Sequence, residues 1–255
     1  MKAHAKLNLA LVVGPLRPDG KHELVTIYQR IELADELEFE PAEETTIEGF
    51  PHDTLIRAAL AAADPTRHWR VRVTKRIPVA AGLGGGSSDA AAALRHANRT
   101  LDDYELERLA ATLGADVPFF LAEGPQLGTG DGTTLHPLDL PQDYHVVLLL
   151  PAGETKTSTA DVYRAFDERR GSRGFDDRRA RLLAALQAND LVDLPPNDLA
   201  SSPHARALRA LGAFRAEVTG AGPTVYGLFR DEDAAHAAAR EFERLGRVWI
   251  TAPAW

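Results

Sequence analysis

Residues 82–88 read Gly-Leu-Gly-Gly-Gly-Ser-Ser and run straight into the alanine-rich stretch Asp89–Leu94. Gly82, Gly84, Gly85 and Gly86 leave the backbone bare enough for its N–H groups to approach a bulky oxyanion. Ser87 and Ser88 are expected to cap a helix whose positive dipole end faces the same space. Such a segment can cradle phosphate. It is no Walker A loop, because no Gly-Lys-Ser/Thr follows, and the dinucleotide fingerprint fails at Ser87, where its next glycine would fall. Glycine-rich turns capped by serine also join strands to helices without any ligand, so both readings stand on these residues alone. Asp116, in the turn Gly114–Pro118, can accept a hydroxyl proton or cap the apolar run behind it. Lys6 sits on an alternating segment with Asn8 on the same side; it can neutralise a transferring group or remain a solvated lysine.

These residues need elements to position them. In residues 5–11, Leu7, Leu9 and Leu11 alternate with Lys6 and Asn8, which predicts a strand. Residues 26–33 and 69–75 predict two more, the latter with Trp69, Val71 and Val73 on one face. Helices are expected over 53–63, from about Ser88 to Asn98, and over 104–114. Beyond a buried strand within 141–153, further helices are expected near 160–167 and 176–189. Strands near 215–219 and at 225–229 follow, then a helix from Asp233 onward. Strand and helix patterns alternate without a repeat of fixed period, so a mixed α and β fold is expected.

The chain has 255 residues, no cysteine and a formal charge of −8. That length can bury a large core, and the lack of cysteine removes disulfides and thiolate metal sites. Net acidity argues against general affinity for nucleic acid, while leaving room for a local basic pocket that takes a phosphorylated ligand. The longest apolar run, around residues 145–150, is too short to cross a bilayer, and the first residues lack the pattern of a secretory signal. A cytoplasmic protein without membrane or nucleic-acid partners is expected.

Three segments then carry a resemblance. Residues 78–94 (PVAAGLGGGSSDAAAAL) resemble the phosphate-binding motif of the GHMP kinases, residues 5–11 (AKLNLAL) their first motif, and residues 218–229 (VTGAGPTVYGLF) their third. The three stand in the family's order and span nearly the whole chain. Residues 17–24 (RPDGKHEL) and 113–121 (LGADVPFFL) bring the similarity closest to those members that act on a cytidine diphosphate-linked methylerythritol. The resemblance implies an α+β, two-domain GHMP kinase fold with the active site in the cleft between the domains. Residues 1–140 would be the ATP-binding domain and 141–255 the substrate-side domain. It also implies ATP-dependent phosphorylation of that substrate's 2-hydroxyl, in the non-mevalonate route to isoprenoid precursors.

Site roles follow from the same resemblance. Lys6 and Asp116 would form the catalytic pair. Lys75, Pro78, Gly82, Leu83, Gly84, Gly85, Gly86, Ser87, Ser88 and Thr54 would bind ATP, with Thr54 where the family usually has asparagine near the adenine. Asn8, Lys21, His22, Asp116, Thr159, Tyr163, Gly220 and Gly222 would bind the small-molecule substrate. Lys21 stands where the family has a tyrosine beside the cytosine; its stem can cover the base and its ammonium can reach a phosphate. Magnesium should arrive with ATP. The Ser88 hydroxyl is the nearest candidate ligand, but the chain shows no clustered carboxylates that would make a protein cage, so no metal residue is assigned. A different GHMP kinase, or a nucleotide-binding module without transfer chemistry, are the alternative readings.

Overall fold

The alternation around Lys6 produces a strand, β1 (Lys2–Leu16), in a computed structural model that describes residues 1–154 and 158–254. It is longer than the seven residues expected and is buried on both faces, so that Lys6 and Asn8 are only 3% and 4% exposed. The second strand, β2 (His22–Ala42), is longer still and is paired with β1. The chain gathers into two compact units, and both β1 and β2 pass through each of them.

The first unit comprises Met1–Lys6, Leu33–Val79 and Gly84–Glu123. In it β4 (His68–Thr74) runs antiparallel to the latter half of β2, Glu36 opposite Thr74 and Ala42 opposite His68, and β3 (Thr46–Glu48) adds parallel to β4. Strand β4 keeps the period expected of it: Trp69, Val71 and Val73 are buried, while Arg72 meets Glu38, Glu40 and Glu48 at the surface. Four helices complete the unit: α1 (Leu55–Ala63), α2 (Gly85–Ala97), α3 (Asp103–Leu113) and α4 (Val117–Leu121). Helix α2 is buried over Ser88–Leu94 and again at Ala97, a pattern too continuous for a surface helix. Its alanines let α1 and α4 approach closely. Helix α3 begins at a reciprocal capping box of Asp102 and Glu105.

The second unit comprises Leu7–Glu32, Ala80–Leu83 and Gly124–Trp255. There β5 (Gln126–Gly130) pairs antiparallel with β2, Leu24 opposite Gly130, and β6 (Thr134–Pro137) folds back on β5. A separate antiparallel sheet has the order β10-β7-β9-β8, built from β7 (His145–Pro151), β8 (Arg215–Val218), β9 (Val225–Phe229) and β10 (Gly246–Thr251). Its helices are α5 (Thr159–Glu168), α6 (Phe175–Gln187), α7 (Pro203–Ala210) and α8 (Glu232–Phe242). Val147, Leu149, Leu208, Val225, Phe229 and Phe242 form the core between this sheet and α7 and α8. Among the described residues no helix is long and apolar enough to cross a membrane.

Candidate active site

The glycine-rich segment adopts a backbone in which handedness alternates. Ala80, Gly82 and Gly84 have φ of 58°, 85° and 72°, and the residues between them do not share that sign. Successive N–H groups in such a chain converge into a concave nest that favours an anion. Ala80 pays for its place there, because a residue with a Cβ is strained in the left-handed region. Helix α2 starts at Gly85, three residues earlier than expected, with left-handed Gly84 as its N-cap and no side-chain cap bond. Ser87 and Ser88 are therefore not caps, contrary to the expectation. The glycine turn starts the helix by itself, and the Ser88 N–H already bonds the Gly84 carbonyl at 2.9 Å. The N–H groups of Gly85, Gly86 and Ser87 lie in the first turn, where helix geometry supplies no acceptor.

The surroundings explain why these positions stay bare. A Cβ at Gly84 would stand 2.9 Å from the Phe120 ring and 3.0 Å from the Lys6 stem, and one at Gly85 3.0 Å from Ile77. Gly86 is less crowded, with Leu55 at 3.3 Å. Leu83 is buried and Pro78 half-buried, while Gly82, Gly84, Gly85, Gly86 and Ser87 remain partly accessible; Ser88 is buried. Bare backbone, alternating handedness and a helix N-terminus together fit a phosphate.

Lys75, just before this segment, is held by two aspartates that sequence reasoning missed. Its Nζ donates to Asp35 Oδ2 at 2.5 Å and to Asp89 Oδ2 at 2.8 Å, and both carboxylates are fully buried. The N–H groups of Arg76 and Ile77 donate to Asp35 Oδ1 at 2.6 and 2.8 Å. Burial pushes the Asp89 carboxyl up to about 7 against the pull of Lys75, with Asp35 and Asp53 adding to the rise. Burial works to lower Lys75, yet its two carboxylates hold it above the usual lysine range. An aspartate inside an alanine-rich helix was a legible signal for Asp89; Asp35 was hidden among the acids of β2. Thr54 is the exposed N-cap of α1 and makes no cap bond. Asp53 caps that helix instead, accepting from the Ile56 N–H at 2.9 Å.

Asp116 occupies the N-cap of α4 in a helical conformation, φ −86° and ψ −12°, and its side chain accepts no cap bond. Its Oδ2 lies 3.2 Å from Lys6 Nζ, and the Asp116 side chain is 31% exposed against 3% for Lys6. A buried ammonium thus meets a carboxylate that still reaches solvent.

In the second unit the Asn8 amide donates to Thr26 Oγ1 at 2.8 Å, and the Asn8 N–H donates to Thr219 Oγ1 at 3.0 Å. Thr219 begins the turn that holds Gly220 and Gly222, and this turn packs backbone to backbone on the glycine-rich segment. A Cβ at Gly222 would fall 2.5 Å from the Ala81 carbonyl oxygen and the Gly82 Cα, and one at Gly82 2.6 Å from the Thr219 carbonyl oxygen. Asn197 clamps the same turn by donating to the Val218 and Gly220 carbonyls at 2.9 and 2.7 Å. His22 is buried, its Nδ1 donates to the Gly14 carbonyl at 2.8 Å, and its Nε2 faces Asp167 at 3.4 Å. Its ring stacks on Tyr163 with centroids 5.1 Å apart and planes inclined by 23°. Thr159 opens α5 one turn before Tyr163 and is exposed. Lys21 directs its ammonium to Asp131, 2.5 Å away. Burial opposes that carboxylate, but hydrogen bonds from Lys21 and Thr133 carry it down to about 2.

The chain is similar to known proteins over most of its length. The profile described as GHMP kinases N terminal domain matches residues 53–124, and that described as GHMP kinases C terminal matches residues 204–248. A 4-diphosphocytidyl-2-C-methyl-D-erythritol kinase of Solibacter usitatus (strain Ellin6076) is 39% identical over 96% of this chain and 85% of that protein. One of Pelobacter propionicus is 37% identical over 100% of this chain and 97% of its own. A crystal structure of 4-(cytidine 5'-diphospho)-2C-methyl-D-erythritol kinase superposes with a TM-score of 0.78 at 34% identity, covering 100% of this chain and 99% of that one. A mevalonate kinase structure superposes at 0.71 with 14% identity over 99% of this chain and 98% of its own, a likeness of fold alone.

Proposed function

The chain belongs to the GHMP kinases, in the branch of the 4-diphosphocytidyl-2-C-methyl-D-erythritol kinases, and from that premise we propose that it moves the γ-phosphoryl group of ATP to the 2-hydroxyl of 4-diphosphocytidyl-2-C-methyl-D-erythritol. The products are the 2-phosphate and ADP, and the reaction belongs to the methylerythritol phosphate route to isoprenoid precursors. The observation that carries the reading is the pair of Lys6 and Asp116 at 3.2 Å, in which a helix N-cap carboxylate is left uncommitted to the helix.

The acceptor hydroxyl oxygen attacks the γ-phosphorus, the bond from that phosphorus to the bridging β,γ-oxygen breaks, and Asp116 takes the hydroxyl proton. Lys6 offsets the negative charge spread over the equatorial oxygens. The N–H groups of the alternating segment and of the first turn of α2 hold the phosphates in line, so the backbone does the positioning on which this chemistry rests. Magnesium arriving with ATP would supply positive charge to offset that of the phosphates. No protein ligand is assigned to it; among the described residues no group of three or more His, Asp or Glu side chains could hold a metal ion. Cytosine recognition falls to His22 and Tyr163. Rings 5.1 Å apart leave no gap for a base, since a sandwiched ring needs about 7 Å, so the base stacks on the pair and not within it. Lys21 serves this surface through Asp131 and not as a phosphate ligand.

An assay of ADP release with ATP and magnesium tests the reading by comparing 4-diphosphocytidyl-2-C-methyl-D-erythritol with homoserine, mevalonate and the cytidine-free methylerythritol phosphate. Turnover with the cytidylyl acceptor alone is the expected result. Activity only on another alcohol would move the substrate assignment, and silence with all four acceptors would overturn the kinase reading.

A further inference from the structure

We propose that Asp35, Lys75 and Asp89 form a clasp that fixes both ends of the glycine-rich segment, and that Lys75 acts on this segment and not on the nucleotide. The proposal rests on the reading of residues 78–88 as the phosphate site. It assigns positioning roles to two residues, Asp35 and Asp89, and a different role to a third.

Alternating left-handed residues do not hold themselves in place. A nest presents its N–H groups in one direction only while its φ and ψ angles are kept, and Ala80 at φ 58° favours relaxation. Something must fix the chain where it enters and where it leaves. At the entrance Asp35 accepts the N–H groups of Arg76 and Ile77 through one oxygen and the Lys75 ammonium through the other. At the exit Asp89 lies in the second turn of α2 and takes the same ammonium. One cation therefore joins the two ends of the segment through carboxylates that have no exposure to water. Charge-assisted bonds of this kind, in a water-poor setting, are the strong ones.

The setting also argues against a nucleotide role for Lys75. Two of its three donors are committed, the Phe50 ring lies 5.4 Å from its Nζ, and its side chain is only 16% exposed. Moving the ammonium to a nucleotide would leave two buried carboxylates facing each other without a cation, which is costly. Asp89 Oδ1 already has no partner among the described residues.

Calorimetric titration with ADP and with adenosine, on the wild type, Lys75→Met, Asp89→Asn and the double variant, separates a clasp from a ligand. A clasp predicts that Lys75→Met and Asp89→Asn each weaken ADP about tenfold, that the double variant loses no more than either alone, and that adenosine binding stays unchanged in all of them. If Lys75 contacts the nucleotide, Lys75→Met alone weakens binding, and Asp89→Asn, which frees the ammonium, leaves it equal or tighter; that result overturns the proposal, as does normal ADP affinity in both variants. Asp89→Asn keeps the size of the side chain, so it carries the test if Lys75→Met does not fold. Amide hydrogen exchange at Arg76 and Ile77 should rise in Asp35→Ala, which removes the oxygen that both N–H groups reach, and unchanged protection there would count against the clasp. A wild type that binds ADP no better than adenosine would instead remove the phosphate reading on which the proposal stands. None of these titrations involves the acceptor alcohol, so they are independent of the substrate assignment.

Discussion

A carboxylate at a helix N-cap ordinarily spends an oxygen on a backbone N–H of the first turn. Asp116 does not; its oxygen goes to Lys6, and the short helix behind it is started by Pro118 and held by buried Val117, Phe119 and Phe120. In the sequence Asp116 stood between proton acceptor and cap, and its side-chain direction removes the cap reading. With the cap bond absent, Asp116→Asn should leave the helix intact and remove an acceptor. Turnover is expected to fall on the order of 10³-fold, within the range usual for a lost general base, while ADP affinity stays within about twofold by titration. Near-normal turnover in Asp116→Asn would take the base role away from it. The Lys75 cluster was less legible at this scale. Lys75 was visible as a lysine before a glycine loop, but its partner Asp35 lies 40 residues away in a strand crowded with glutamates, and no local pattern links them.

At the scale of elements, periodicity served well where one face meets solvent and poorly where neither does. Strand β4 alternates as its sequence implies, whereas β1 is buried on both faces, so its lysine and asparagine are interior groups and not a wet side. Helix α2 began early because a left-handed glycine can start a helix without a hydroxyl cap, and composition does not reveal the sign of φ. The packing of Gly222 on Ala81 and Gly82 likewise leaves no local signature, since the segments are about 140 residues apart in the chain. That contact has a measurable consequence. In Gly222→Ala the added methyl meets backbone atoms at 2.5 Å, which cannot rotate aside, so residues 80–83 must shift. ADP affinity should fall at least tenfold and the melting temperature should drop with it. Gly124→Ala is the control: its φ is +66° but nothing lies within 4 Å of the added methyl. Backbone strain of about 1 kcal/mol should then lower stability without touching ADP. Equal ADP affinity in Gly222→Ala and wild type would show that the turn does not support the glycine-rich segment in any phosphate role.

The molecule as a whole is organised by two strands that belong to both compact units, so neither unit is one continuous stretch of chain. Local patterns list elements in covalent order. They do not show that Leu24 pairs with Gly130 or that Leu7–Glu32 packs with Gly124–Trp255, because such pairings are settled by burial over distances of a hundred residues. The clearest case is Arg215, which no local pattern marks out and which is 4% exposed. Its guanidinium donates to the carbonyls of Leu9, Leu194 and Pro195 at 2.8 Å each and to that of Leu191 at 3.4 Å, joining β1, the segment before α7 and β8. Tyr226 adds its hydroxyl to Leu9, which keeps that carbonyl partly satisfied without the arginine. Arg215→Leu would fill similar space with no donors and leave at least two buried carbonyls unpaired, at about 1–3 kcal/mol each. A loss on the order of 3 kcal/mol is therefore expected, read as a lower urea midpoint at unchanged slope. Arg215→Lys should recover only part of it, since one ammonium cannot span carbonyls that a planar fork reaches together. A cost below about 1 kcal/mol for Arg215→Leu would mean that water or the backbone replaces those bonds, and that β1 is held in the second unit by its apolar side chains alone.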